Sequence, residues 1–366
     1  MHRSREVRDR RRPSEHGRES LPPWFELEVI PGLEAIATAE SRRRLRHVTH
    51  GPILREGLIP LEYRGDPADL LDLHTALSAA VALHFDVPRP KALLGQQAFD
   101  RLMRAIEAVR AMHRSDAFST FRVSAAGQDS AVMRRLREAI ALQTGLEDVE
   151  EEGDLLLRVR RPLDRRDGWE VLIRLSPRPL SARPWRVCNL PGAINASVAH
   201  AMALLSHPHA DDVVLNLMCG SATLLIERLM VAPARIAVGC DTDGDARACA
   251  MENLAAADLT QARIEDWDAT DLPAPESWAD VVLADLPFGQ LVGSHEQNLD
   301  LYPRVLREAA RVTIGGGLFV AITHEIRLWE RLVDESPAWT IDTVLPIKLP
   351  FGGGHLRPRI YVLRRT

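Results

Sequence analysis

Lysine is almost missing from this chain of 366 residues: Lys91 and Lys348 stand alone, and arginine carries nearly all the positive charge. That usage follows a GC-rich coding bias as readily as chemistry, although guanidinium groups also suit phosphate contacts. Cysteine is scarce as well. Cys188, Cys219, Cys240 and Cys249 form no C-x-x-C pair, so neither a zinc site nor a disulfide framework is expected, and a reducing cytoplasm fits best. No apolar run approaches the ~20 residues that cross a bilayer, and no apolar segment follows the arginine-rich N-terminus. A membrane partner and a secretory signal are therefore not expected. The formal net charge of -5 gives no global case for nucleic acid. What is present is an ordinary soluble composition, 46% apolar and 27% charged, in a chain long enough for two or three domains.

Charge is uneven along the chain. Residues 1–22 read as a disordered basic tail, with seven arginines against four acids in the first 20. Trp24 to Ile30 alternates as a strand does, Leu33 to Leu45 has a helical pattern, Ile59 to Tyr63 is a short strand, and Ala68 to Leu77 and Phe99 to His113 read as helices. His74, His84 and His113 stand isolated, with no chemistry attached. A strand at 119–124, a helix at 130–143 and strands at 154–160 and 168–176 make a small α+β unit. Arg122, Arg134, Arg135, Arg137, Arg158, Arg160, Arg161, Arg174, Arg178, Arg183 and Arg186 offer a backbone-binding surface or a merely solvated one. Beyond Asn189 small and apolar residues take over. A helix at 191–205, strands at 213–217, 235–240, 280–284 and 318–322, helices at 243–256 and 301–312, and a closing hairpin ending in Arg359–Arg364 describe an α/β sheet domain.

The chain is organised around Val213-Val-Leu-Asn-Leu-Met-Cys-Gly-Ser-Ala-Thr-Leu-Leu-Ile-Glu227. A strand runs into a small-residue turn and a helix whose apolar face is Leu224, Leu225, Leu229 and Met230. This is neither a P-loop nor the G-x-G-x-x-G fingerprint. Asn216, Asp241, Asp268 and Asp285 lie at consecutive strand ends, where groups converge on one crevice of an open α/β sheet. Asp241 suits ribose hydroxyls, with Asp243 as the cap of the following helix that leaves Asp241 free. Asp268 suits an adenine amine or a plain Asx turn. Asp285-Leu-Pro-Phe-Gly289 places a carboxylate, the Leu286 carbonyl, a stiff Pro287 and the Phe288 ring together. Two acceptors and an aromatic face suit an exocyclic amine on a flipped base, or a tight turn with a core phenylalanine.

Together, Asn216 to Thr223, Gly239-Cys-Asp241, Asp268-Ala-Thr-Asp-Leu-Pro273 and Asp285 to Gly289 resemble the THUMP-domain RNA guanine-N2 methyltransferases. The resemblance implies a Rossmann-like methyltransferase domain at 190–366, preceded by a ferredoxin-like domain at 23–95 and a THUMP RNA-binding domain at 96–180. It implies S-adenosyl-L-methionine as cofactor, with its methionine end near Asn216, Met218, Gly220 and Ser221, its ribose on Asp241 and its adenine on Asp268. Asp285, Leu286, Pro287 and Phe288 become the catalytic turn. The implied partner is structured RNA, tRNA first, with no metal and a monomer as the leading oligomeric expectation. The chain departs from the family pattern at Asn216, Leu217 and Ala222. Asn216 loses a charge near the cofactor amine, and Ala222 replaces a glycine, which is tolerable only at negative φ. The alternatives are an adenine-N6 or protein-glutamine methyltransferase, and a non-catalytic RNA-binding protein with a decayed cofactor turn.

Overall fold

The computed structural model describes residues 21–289 and 293–366; the basic tail falls almost wholly outside them. The described chain divides into two compact units.

The unit formed by 81–162 and 167–173 holds the Gln96–Arg110 helix and a small sheet. Its strands run in the order Trp169–Arg174, Leu155–Arg160, Thr120–Ala125, Glu147–Asp148. The Ala131–Thr144 helix begins at Ser130, whose side chain accepts from Met133 N, and ends at left-handed Gly145. Met133, Leu136 and Ile140 are its buried face, as the helical spacing predicts. The arginines are not one free basic surface: Arg137 pairs with Asp148 at 2.8 Å, Arg160 pairs with Glu170 at 3.2 Å, and Arg161 stacks on Trp169.

The unit formed by 23–80, 163–166 and 174–366 carries the candidate site. Its N-terminal part is a small antiparallel set, Val48–His50, Leu58–Tyr63 and Trp24–Val29, with the Glu34–Arg44 helix. Gly32, at φ +102°, lies so near the Pro346 carbonyl that a Cβ there would sit 2.2 Å from it. The chain expected to be a helix from Ala68 to Leu77 is instead a short 3-10 turn, Pro67–Asp72, followed by the strand Ala76–Phe85. Its alternating burial overrides the helix propensity of its alanines and leucines.

The rest of the unit is a seven-stranded sheet. Its order is Arg263–Glu265, Ile236–Cys240, Val213–Leu217, Ala279–Asp285, Thr313–Thr323, Arg359–Arg365, Trp339–Pro346. The first five strands are parallel; Arg359–Arg365 runs antiparallel between Thr313–Thr323 and Trp339–Pro346. Parallel strands need cover on both faces. Val214, Val281 and Leu283 pack into one core with the helices Ala196–Leu205 and Thr223–Val231. Leu215, Val282 and Ala284 pack into the other with His295–Val312 and Ile326–Asp334. Met230, expected on the inner face of its helix, is 41% exposed, because Leu225, Ile226 and Leu229 already fill that face.

Two further expectations are overturned. Cys188 and Cys249, 61 positions apart, form a disulfide; only the fold brings them together, so no local spacing announces the pair. His74 is not isolated but reaches the buried His200 and Glu227.

Candidate active site

The sheet changes direction between Val213–Leu217 and Ala279–Asp285, each followed by a helix on opposite faces. Beyond the carboxyl ends of such strands lies the crevice of an open α/β sheet. Leu283 is paired with Asn216 and Ala284 with Leu217, so Asn216 and Asp285 come to neighbouring strand ends. Asn216 is buried, and its Nδ2 donates to the Leu217 and Leu283 carbonyls at 3.2 Å each. Its Oδ1 has no partner among the described residues.

The turn after this strand is built from left-handed residues: Met218 at φ 46°, Gly220 at 50° and Ala222 at 57°. The condition of negative φ set above for an alanine at 222 is not met. The alanine holds a conformation that costs about 1–2 kcal/mol, fixed by its N–H to the Cys219 carbonyl at 2.8 Å and by its carbonyl accepting from Ile226 in the next helix. At Gly220 a Cβ would meet nothing within 4 Å, so the turn faces open space. The buried Ser221 hydroxyl lies 3.0 Å from Thr223 Oγ1.

Asp243 caps the Gly244–Ala256 helix through Asp245 N and Ala246 N, as expected. Asp241 is nevertheless not free. Its Oδ2 accepts from Gly220 N at 2.9 Å and its Oδ1 from Asp243 N at 3.0 Å, which ties the second strand end to the turn. Each oxygen retains a lone pair for a further donor. Asp268 makes the Asx turn weighed above, accepting from Thr270 N and Oγ1, and those bonds hold its carboxyl below the usual range. Burial, with Asp241 and Asp268 adding, pushes the Cys240 thiol up to about 12. Both carboxylates thus act on one locality.

Asp285 ends the fourth strand in a recess. Its carboxylate has no hydrogen bond or ion pair among the described residues, and burial pushes its pKa up to about 7. Leu286 buries its side chain and donates its N–H to the Ile322 carbonyl at 3.1 Å, while no described residue donates to its own carbonyl. The Pro287 carbonyl accepts from Tyr302 Oη at 2.7 Å and Asn298 Nδ2 at 2.9 Å. Phe288 is half-buried, 6.2 Å from the His324 ring between centroids, and Gly289 turns the chain away at φ 72°.

The sequence reading missed Tyr302, Asn298 and His324. The first two sit four residues apart on one helix, a spacing that signals a shared face but not what it holds. It also missed a buried ion network. Glu227 accepts from Arg183 Nε at 2.7 Å and faces His200 Nδ1 at 2.9 Å, while His200 Nε2 lies 3.3 Å from Glu40. Glu40 also accepts from His74 N and Thr75 N, and its pKa is lowered to about 2: burial opposes the drop, and the His200 and Thr75 contacts outweigh it. Arg183, offered above as a phosphate contact, is therefore buried and paired. His74, His200 and Glu227 are near enough to hold a cation, yet Glu227 and Glu40 already face Arg183 and His200.

A mostly parallel sheet in this order, with a left-handed turn after Val213–Leu217 and an Asp-Leu-Pro-Phe turn after Ala279–Asp285, defines a Rossmann-like domain. Residues 183–348 match the family model described as "UPF0020: RMKL-like, methyltransferase domain". The human tRNA (guanine(6)-N(2))-methyltransferase THUMP3 is 30% identical over 192 residues, 48% of this chain and 37% of its own length. The likeness to the guanine-N2 RNA methyltransferases is thus borne out, and the chain spans little more than a third of these curated relatives. Among solved structures, TrmN from Thermus thermophilus superposes with a TM-score of 0.69 at 23% identity, over 94% of this chain and 99% of its own. SMU.472, complexed with SAH, gives 0.64 at 14% identity, over 94% and 98%. These two show the fold.

Proposed function

We propose that the protein transfers a methyl group from S-adenosylmethionine to the exocyclic N2 of guanine in structured RNA, with tRNA as the first candidate. The observation that carries this reading is the Asp285 carboxylate at the switch point, without a partner among the described residues, followed by a Leu286 carbonyl that no described residue bonds and by the Phe288 ring. The residues fit the cofactor: Asn216 keeps a buried acceptor with no partner among the described residues, and the Gly220 turn is open. Bound cofactor supplies an electrophilic methyl group on a sulfonium.

The chain's own part is to position the nucleophile. Guanine N2 is poor because its lone pair is delocalised into the ring, so its hydrogens must be held away from the line of attack. One N2 hydrogen is accepted by Asp285 and the other by the Leu286 carbonyl, while Phe288 covers the base. Tyr302 and Asn298 fix the Pro287 carbonyl and with it the turn. Positive charge grows on nitrogen as the N–C bond forms, and a fixed carboxylate favours that state over the ground state. One N–H proton is then lost, and a carboxyl poised at about 7 can take it.

The same proposal includes a ferredoxin-like segment at 23–95, a THUMP RNA-binding segment at 96–180, a monomer and a cytoplasmic setting. Calorimetric titration with S-adenosylmethionine tests the cofactor reading. Absence of binding would leave the RNA-binding alternative.

A further inference from the structure

The Cys188–Cys249 disulfide lies one side chain away from the turn 217–223. That side chain is Asn253, buried and four residues after Cys249 on the same face of the Gly244–Ala256 helix. Its Oδ1 accepts from Cys188 N at 2.9 Å, and its Nδ2 donates to the Cys188 and Ser221 carbonyls at 3.0 Å each. The same Nδ2 lies 4.0 Å from Cys249 Sγ. Three acceptors thus compete for two N–H groups, and the disulfide sulfur is the weakest of them. Two residues before Cys188, Arg186 donates to Thr223 Oγ1 at 2.8 Å. The Cys188 segment is therefore tied to the turn at Ser221, through Asn253, and at Thr223, through Arg186.

The sulfurs are placed for exchange with an outside thiol rather than with one of the chain's own. Cys188 is half-buried between exposed Val187 and exposed Asn189, whereas Cys249 is buried. Cys219 and Cys240 are buried too, and burial raises both thiols well above neutral pH. Neither supplies the thiolate that attack on a disulfide requires. An external thiolate reaches Cys188 Sγ first. A new S–S bond forms there, the Cys188–Cys249 bond breaks, and Cys249 leaves as a thiolate. Asn253 Nδ2 is the donor beside that leaving sulfur, and a charged sulfur draws its N–H more strongly than a disulfide does. Cys249 then takes a proton, and the second thiol of a dithiol resolves the mixed disulfide at Cys188. The protein gains two electrons and two protons, and the dithiol is oxidised to its own disulfide.

We infer that this disulfide is a redox-sensitive modification site, opened by a dithiol, and that its opening loosens the turn 217–223 through Asn253 and weakens cofactor binding. The inference rests on the cofactor reading above. Linkage makes the effect reciprocal: bound cofactor protects the disulfide from reduction by the same factor.

The test is calorimetric affinity of the full chain for S-adenosylmethionine, oxidised and after equilibration with dithiothreitol, beside Cys188→Ser. The oxidised wild type is expected to bind roughly tenfold more tightly than the reduced form, the scale of one hydrogen bond released. Cys188→Ser should bind as the reduced form does and ignore the dithiol. In dithiol redox buffers, saturating cofactor should lower the midpoint potential of the disulfide by about 30 mV, the equivalent of tenfold for two electrons. These two wild-type measurements decide the matter even where Cys188→Ser fails to fold. Equal affinity in both redox states overturns the inference, and so does a disulfide that excess dithiol leaves closed. A wild type that binds no cofactor in either state defeats the cofactor reading itself.

Discussion

Replacing Asp285 probes chemistry and stability together, with opposite signs. In the folded chain its pKa is raised to about 7 from a usual 3.8 by burial, so the native state holds this proton more tightly than the unfolded chain does. A raised carboxyl costs stability as pH climbs from the ordinary carboxyl range to about 7, and the cost is constant above that. At about 1.36 kcal/mol per pKa unit, the wild type forgoes on the order of 2 kcal/mol between pH 5 and pH 8. Asp285→Asn removes that dependence and keeps a neutral acceptor. Its stability relative to wild type should therefore rise by about that amount over the same interval, read by urea unfolding at the two pH values. Turnover moves the other way. Asp285→Ala removes one preorganised polar group and should lower single-turnover methyl transfer on the order of 10²-fold or more, with cofactor affinity little changed. The wild-type rate should rise roughly tenfold from pH 6 to pH 8 as the carboxylate ionises, and Asp285→Asn should flatten that profile. Near-normal turnover in Asp285→Ala refutes the mechanism. Loss of cofactor binding in the same variant would move Asp285 into the methionine pocket instead.

Phe288→Ala should weaken productive RNA binding by about 1–3 kcal/mol, the scale of one base–aromatic stack, measured as the RNA dependence of single-turnover rates. Ala222→Gly should leave stability within about 1 kcal/mol of wild type in thermal melts, because relief of left-handed strain offsets the buried methyl and the looser unfolded chain; a loss above about 2 kcal/mol would deny the strain. Glu227→Gln should cost about 3–5 kcal/mol, because it leaves Arg183 buried without its anion and His200 facing Glu40 alone. Burial opposes protonation of His200, but Glu227 and Glu40 prevail and raise its pKa. The stability from that charge is thus complete below the unfolded histidine pKa and is lost as pH rises through the folded value, a slope that Glu227→Gln should reduce in melts across neutral and alkaline pH.

The sheet domain was legible because its strands are short apolar runs divided by helical patterns, and its site was legible because chemistry gathers at strand ends. The local reading stopped where tertiary contact decides. The helix expected from Ala68 to Leu77 is a short 3-10 turn, and the strand Ala76–Phe85 that follows it was passed over although alternate side chains bury along most of its length. The Ile326–Asp334 helix, with Leu328, Trp329 and Val333 buried on one face, was passed over although its amphipathic spacing is plain in the sequence. Asp241 was read as free because Asp243 is the better cap, and no pattern announces that Gly220 N would claim its second oxygen. The ion network joins Glu40, His74, Arg183, His200 and Glu227, residues far apart in the chain, and the Cys188–Cys249 disulfide is hidden in the same way.

The most direct measurement is nucleoside mass spectrometry of structured RNA after incubation with the purified protein and S-adenosylmethionine. The account predicts N2-methylguanosine in the wild-type reaction and its near absence with Asp285→Ala. Methylation on adenine N6 instead, or unmodified RNA from a protein that demonstrably binds the cofactor, would contradict it.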